Sequence, residues 1–238
     1  MNQFPGQSRG LPSQVGVRPT AQLSAGFLSQ SFTWMFAGLL LTAGIAYVVQ
    51  STPRLLDLGR DLFLPALLVE LGIAIGIQLL IRRISAVIAL GLFFAYAAIN
   101  GLTIGLIVSF YTTGSVAAAF LSAAGMFGGA AIYGVVTKRS LASIGGFLTM
   151  ALIGLIVALL VNLFLQSSVV TFVISIIGVG LFTVLTAYHV QRIASGDIAA
   201  MTGSMEKGAV FSALLLYLDF INIFLFLLRL FGGGGNRR

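Results

Sequence analysis

Between residues 31 and 230 the chain alternates long apolar runs with short polar breaks. The runs fall at about 31–49, 62–81, 84–111, 114–136, 141–165, 168–193 and 207–230. Each is long enough to cross a hydrocarbon core roughly 30 Å thick, which takes about 18 or more apolar residues in a helix, and the longer ones do so with tilt. They are apolar throughout and do not alternate residue by residue, which argues against the strands of a membrane barrel. The breaks carry turn or charge signals: Ser51-Thr52-Pro53-Arg54, Arg82-Arg83, Thr112-Thr113-Gly114, Lys138-Arg139, Gln166-Ser167-Ser168 and Ser195-Gly196-Asp197. Such short connections predict antiparallel neighbours. The pattern therefore predicts an all-α integral membrane protein, a seven-transmembrane-helix bundle whose first partner is the lipid bilayer.

Three segments follow. Residues 1–29 read as a polar cytoplasmic tail, with Pro5, Pro12 and Pro19 and no apolar core close enough to the start for a signal peptide. Residues 30–231 form the membrane domain, and 232–238 a Gly/Arg tail. Composition agrees: 58% of the 238 residues are hydrophobic and 8% charged, where a soluble domain carries about 25% charged residues. The absence of cysteine excludes disulfides, thiolate metal sites and cysteine nucleophiles. A net charge of +7 raises nucleic acid as a partner, but the basic residues stand singly or in pairs between apolar runs, as topology signals do. With the N-terminus inside, eight basic residues (Arg9, Arg18, Arg82, Arg83, Lys138, Arg139, Arg192, Lys207) are cytoplasmic and five (Arg54, Arg60, Arg229, Arg237, Arg238) are outside. A re-entrant last segment would make that eleven against two, yet 207–230 is unbroken and reads as a full span. Gly125, Gly128, Gly129, Gly145 and Gly146 are expected to let helix backbones approach closely, with a gating hinge as the alternative.

Ionisable groups at bilayer depth cost about 2.5–3.5 kcal/mol or more, so they mark candidate sites. Three stand out. Asp219 lies mid-way along the last run, with Asn222 three residues on and Tyr217 nearby, a polar stripe that must face the interior or a wet cavity. It reads as an ion or proton site, or as a protonated structural acid. Glu70 lies within the second run, either neutral or lining a watery cavity. His189, the one histidine, ends the sixth run; it reads as a cation at a helix C-terminus or as a titrating partner of Asp219. Enzyme classes find no support. Lys138 and Lys207 lie at span ends, where a retinal protein needs a lysine mid-membrane. An intramembrane aspartyl protease needs two deep aspartates, a metalloprotease needs paired histidines, and no phosphate loop or dinucleotide fingerprint occurs.

The stretch Leu216-Tyr217-Leu218-Asp219-Phe220-Ile221-Asn222, followed by Leu227-Leu228-Arg229-Leu230-Phe231-Gly232, closely resembles the signature of the transmembrane Bax inhibitor motif family. Supporting features run over about 30–232: Glu70, the Arg82-Arg83 pair, Asn100-Gly101-Leu102-Thr103, and Ala187-Tyr188-His189-Val190-Gln191-Arg192-Ile193. The resemblance implies that the last helix is central and surrounded by the other six. It implies a pH-sensitive calcium leak in which an aspartate dyad between the sixth and last helices senses protons and holds calcium, and an arginine after the second helix acts as a latch. Asp219 carries over to the dyad, and Arg82 or Arg83 to the latch. Where relatives place the second aspartate, after Tyr188, this chain has His189. Two neighbouring carboxylates share a proton, whereas a His–Asp pair attracts. Calcium favours several oxygen ligands, so Asp219 alone is a weak calcium ligand and a pH-responsive polar pair is what survives. The expected function is a cation leak, with calcium as cargo and no cofactor, in the cytoplasmic membrane with a cytoplasmic N-terminus. The alternative is a membrane-embedded regulator that binds another membrane protein, such as a quality-control protease, through its polar tail.

Overall fold

A computed structural model describes residues 21–232; the remainder of the two expected tails lies outside the described residues. Among the described residues eight α-helices follow in order: α1 (Ala21–Ser51), α2 (Pro53–Leu80), α3 (Ala86–Val108), α4 (Thr113–Val136), α5 (Gly145–Leu165, after a 3-10 turn at Ala142–Ile144), α6 (Ser168–Ala194), α7 (Asp197–Thr202) and α8 (Met205–Gly232). All but α7 are long and apolar enough to span a membrane. The sequence runs thus correspond one to one with spans.

The boundaries differ where polar residues extend a helix beyond its apolar run. α1 begins at Ala21, so it takes in the end of the segment expected as a tail. α2 begins at Pro53, about two and a half turns ahead of the run at 62. Proline suits the first helical turn because its missing N–H would be unpaired there anyway. The added turns carry Arg60, which donates to Asp57 at 3.0 Å, both exposed. Pro65 lies inside α2, as membrane helices tolerate. Helix α7 was not expected. It is six residues long and bracketed by Gly196 (φ 79°) and Gly203 (φ 81°), left-handed conformations that glycine adopts at no steric cost.

α8 is the axis of the bundle. In its most apolar stretch 78% of residues are buried, against 11% in α5. It packs on α1, α2, α3, α4, α6 and α7. The expected ring of six spans around it is therefore a ring of five: α5 packs mainly on α6 and presents Leu163, Phe164 and Leu165 outward. Exposed large apolar side chains recur on α2 (Leu64, Leu68, Leu79) and α6 (Val169, Phe172) as well, a surface suited to lipid.

The closest backbone approaches lie elsewhere than expected. A Cβ at Gly125, Gly128, Gly129 or Gly146 would meet nothing within 4 Å, and only Gly145, against Tyr188, is confined. Instead α4 presses on α6 at Gly134, where a Cβ would sit 2.5 Å from the Ala187 carbonyl oxygen, and α3 presses on α1. A Cβ at Gly101 would sit 2.8 Å from Ile45 Cβ, and one at Gly105 would sit 2.9 Å from the Ala46 carbonyl oxygen. Spaced four apart on one helix face, this pair lets two backbones come together in the small-residue manner of membrane interfaces.

Candidate functional site

Two polar clusters sit on α8, and the helix itself separates them. Tyr217 and Asp219 are two residues apart, hence about 200° apart around an α-helix. Asp219 faces α6. There its Oδ2 lies 2.7 Å from His189 Nδ1. The aspartate side chain is 2% exposed and the histidine 14%. His189 is therefore not a free helix-end cation; it is the partner of Asp219. The His189 ring also packs beside Tyr188, which in turn lies against Gly145 at the start of α5 and under Arg192. A single bond thus ties the mid-point of the central helix to α6.

Tyr217 faces the other way, towards α1, α2 and α3. Its ring stands edge-on between Phe93 and Tyr96, both at 5.7 Å, which fixes the ring and leaves its hydroxyl proton as the moving part. That hydroxyl donates to Asn100 Oδ1 at 3.0 Å and lies 2.6 Å from Thr42 Oγ1, while Thr42 Oγ1 also donates to the Ala97 carbonyl at 2.8 Å. Asn100 Nδ2 donates to Glu70 Oε2 at 2.9 Å, and Thr103 Oγ1 donates to Glu70 Oε1 at 2.8 Å. Glu70, Asn100, Thr103, Thr42 and Tyr217 are all buried. Glu70 therefore accepts through both oxygens from neutral donors, and no cation shares its hydrogen bonds. The hydroxyls of Thr42 and Tyr217 hold two protons for three contacts, so at any moment the chain runs one way or another and one contact goes unserved.

The expected stripe of Asp219, Asn222 and Tyr217 accordingly divides. Tyr217 and Asn100 meet, on the Glu70 side. Asn222 shares the Asp219 side of α8, but its amide donates to the helix's own Leu218 carbonyl at 2.8 Å and joins neither cluster. Thr42 and Thr103 join the site without having been expected there, although Thr103 closes the Asn100-Gly101-Leu102-Thr103 stretch. Thr103 lies three residues after Asn100, one face of one helix, which was a readable signal. Thr42 was not, because span threonines commonly return their proton to the i−4 carbonyl, as Thr183 and Thr186 do here.

Arg82 and Arg83 are exposed, and neither reaches Asp219. Arg82 Nε donates to the Met201 carbonyl of α7 at 2.7 Å, and Lys207 Nζ donates back to the Arg82 carbonyl at 3.2 Å. These bonds tie the end of α2 to α7 and the start of α8. Asp219, the expected weak calcium ligand, has one oxygen on imidazole. Among the described residues no three His, Cys, Asp or Glu side chains cluster closely enough to hold a metal ion.

Residues 24–237 match the family model described as inhibitor of apoptosis-promoting Bax1. The chain belongs to this family. Relatives agree across nearly the whole length. It is 39% identical over 228 residues to the inner membrane protein YbhL of Escherichia coli, covering 93% of this chain and 96% of that one. It is 41% identical over 213 residues to a protein of Deinococcus radiodurans, covering 89% and 90%, and 38% identical over 218 residues to the protein YrjE of Lactococcus lactis, covering 89% and 92%. The motif around Asp219 thus belongs to a Bax inhibitor family member, a multi-span membrane protein.

Proposed function

We propose that this Bax inhibitor family protein is a pH-responsive cation leak of the cytoplasmic membrane, its N-terminus cytoplasmic, with calcium among its cargo and the His189–Asp219 pair as its lock. The observation that carries the reading is the 2.7 Å contact between His189 Nδ1 and Asp219 Oδ2, deep in the bundle, between α6 and the central helix. Buried ionisable groups in membranes are costly and tend to mark ion or proton pathways. Here two of them share one bond that holds two helices together. The pair is tightest when His189 is protonated and Asp219 ionised. Loss of either charge ends that attraction and loosens α6 from α8, so the leak is least at the pH where both are charged. Calcium is cargo in this scheme and not a resident ion, because one carboxylate beside an imidazole falls far short of the six to eight oxygens it favours. Glu70, on the opposite face of α8, supplies a second acidic station, and the Arg82 bond to α7 steadies the closed arrangement.

The test is calcium flux into liposomes carrying the purified protein, measured across pH. The wild type should leak least at an intermediate pH. Asp219→Asn should abolish that minimum. His189→Asp should replace it by a single rise or fall with pH, because two carboxylates share a proton and no longer attract. Flux no greater than that of empty vesicles, or a pH profile indifferent to Asp219→Asn, refutes the proposal.

A further inference from the structure

The C-terminal face of the bundle carries a cavity outside both clusters. It has a volume of about 430 Å³, within the roughly 300–1,000 Å³ of small-ligand sites. It lies where α5 ends, α6 begins and α8 ends. Its lining divides by chemistry. Leu159, Leu163 and Ile174 form an apolar side, while Gln166, Ser168 and Arg229 form a polar one together with Asn162 and Thr171. Asn162 is already engaged: its Nδ2 donates to Thr171 Oγ1 at 2.8 Å and its Oδ1 accepts from the Ser167 amide at 3.2 Å, which braces the α5–α6 turn. Arg229 is different. Its guanidinium lies over the Phe226 ring at 5.4 Å and forms no hydrogen bond or ion pair with any described residue. Its remaining donors are available to the cavity.

We infer that this cavity binds a phospholipid, with the phosphate on Arg229 and the start of an acyl chain along Leu159 and Leu163. Four observations point there. Arginine presents a fork of donors that matches phosphate oxygens. The start of α6, with Ser168 at the cavity, places its positive helix end beside the same spot. The apolar side is continuous with the lipid-facing surface, since Leu163 is 68% exposed and its neighbour Phe164 90%. Finally, the cavity lies at the ends of three spans, where lipid headgroups meet acyl chains. A soluble anion uses only the polar half; a phospholipid uses both.

The experiment places the full-length protein in vesicles containing phosphatidylglycerol with a photoactivatable group on its acyl chain, and maps the adducts by mass spectrometry. Adducts concentrated on residues 159–174 and around Arg229 are expected. Labelling spread evenly over the lipid-facing helices overturns the site. Native mass spectrometry then titrates phosphatidylglycerol into the detergent-solubilised protein. Arg229→Gln should weaken binding about ten- to hundredfold, the value of a lost charged hydrogen bond, and Arg229→Lys, which keeps the charge and loses the fork, should fall between it and the wild type. Arg54→Gln, an exposed cation at the same end of the bundle, should leave binding unchanged. Equal loss in Arg54→Gln, or none in Arg229→Gln, refutes the assignment. Displacement of the lipid by millimolar inorganic phosphate alone refutes the lipid in favour of a free anion. If Arg229→Gln does not fold, the adduct map on the wild type decides.

Discussion

The two polar clusters on α8 solve the same problem by opposite means. On the α6 side a buried carboxyl group is met by one ionisable partner and held by one bond, His189 to Asp219. On the α1–α2–α3 side another carboxylate, Glu70, is met by neutral donors only and held by a branched set of bonds through Asn100, Thr103, Tyr217 and Thr42. A charge pair concentrates its energy in one contact and depends on two protonation states. A network of neutral donors spreads its energy over several contacts, each of them small. In membrane proteins such interhelical hydrogen bonds average only about 0.6 kcal/mol, whereas leaving one half of a buried charge pair alone costs about 3–5 kcal/mol. The first cluster is suited to switching and the second to graded support.

This contrast sets an order of effects. The largest should come from His189→Leu, which strands Asp219 in the interior: unfolding in detergent should lose about 3–5 kcal/mol, and His189→Leu/Asp219→Leu together should recover most of it. A double variant as unstable as the single one would show that the pair is not an isolated unit. Next is Glu70→Gln. It keeps the shape but puts an NH2 against one of the two donors, Asn100 Nδ2 or Thr103 Oγ1, and should cost about 1–2 kcal/mol while leaving the pH minimum of calcium flux in place. A vanished minimum would mean that the two clusters titrate as one. Tyr217→Phe removes one hydroxyl from a network that already has a contact to spare, and a loss of about 0.6–1.7 kcal/mol is expected in the same unfolding assay. The smallest belongs to Arg82→Gln at the exposed end of α2. Stability should not change measurably, while resting flux should rise if the bond to the Met201 carbonyl steadies the closed form.

Most of the fold was legible because lipid imposes a simple code. A helix must be continuously apolar for about 20 residues, and any charged residue within it needs a reason. That code located the seven spans, Glu70 and Asp219. It could not locate α7, whose six residues carry no long apolar run; the paired Gly196 and Gly203 were its one signal. It misjudged the glycines of α4, because glycine content alone does not say which face meets a neighbour, and Gly101 and Gly105 do so only because α1 lies across them. The division between Tyr217 and Asp219 was readable from the 3.6-residue period. Proximity in sequence grouped them; the angle between them separates them. Whether Asn222 turns to a neighbouring helix or to its own backbone depends on a rotamer, which the sequence does not encode by itself.

The position of Tyr217 and Asp219 on one rigid rod has a mechanical consequence. Hydrogen bonds tolerate only a few tenths of an ångström before they weaken steeply, and between these residues there is one helical residue, Leu218, and no hinge. Any turn of α8 about its long axis that draws Asp219 off His189 also swings Tyr217 off Asn100. The helix is thus moored on both sides, and neither mooring can be slipped alone. Torque applied at the His189 side arrives at once at the Glu70 side, and the rod turns as a whole or stays where it is.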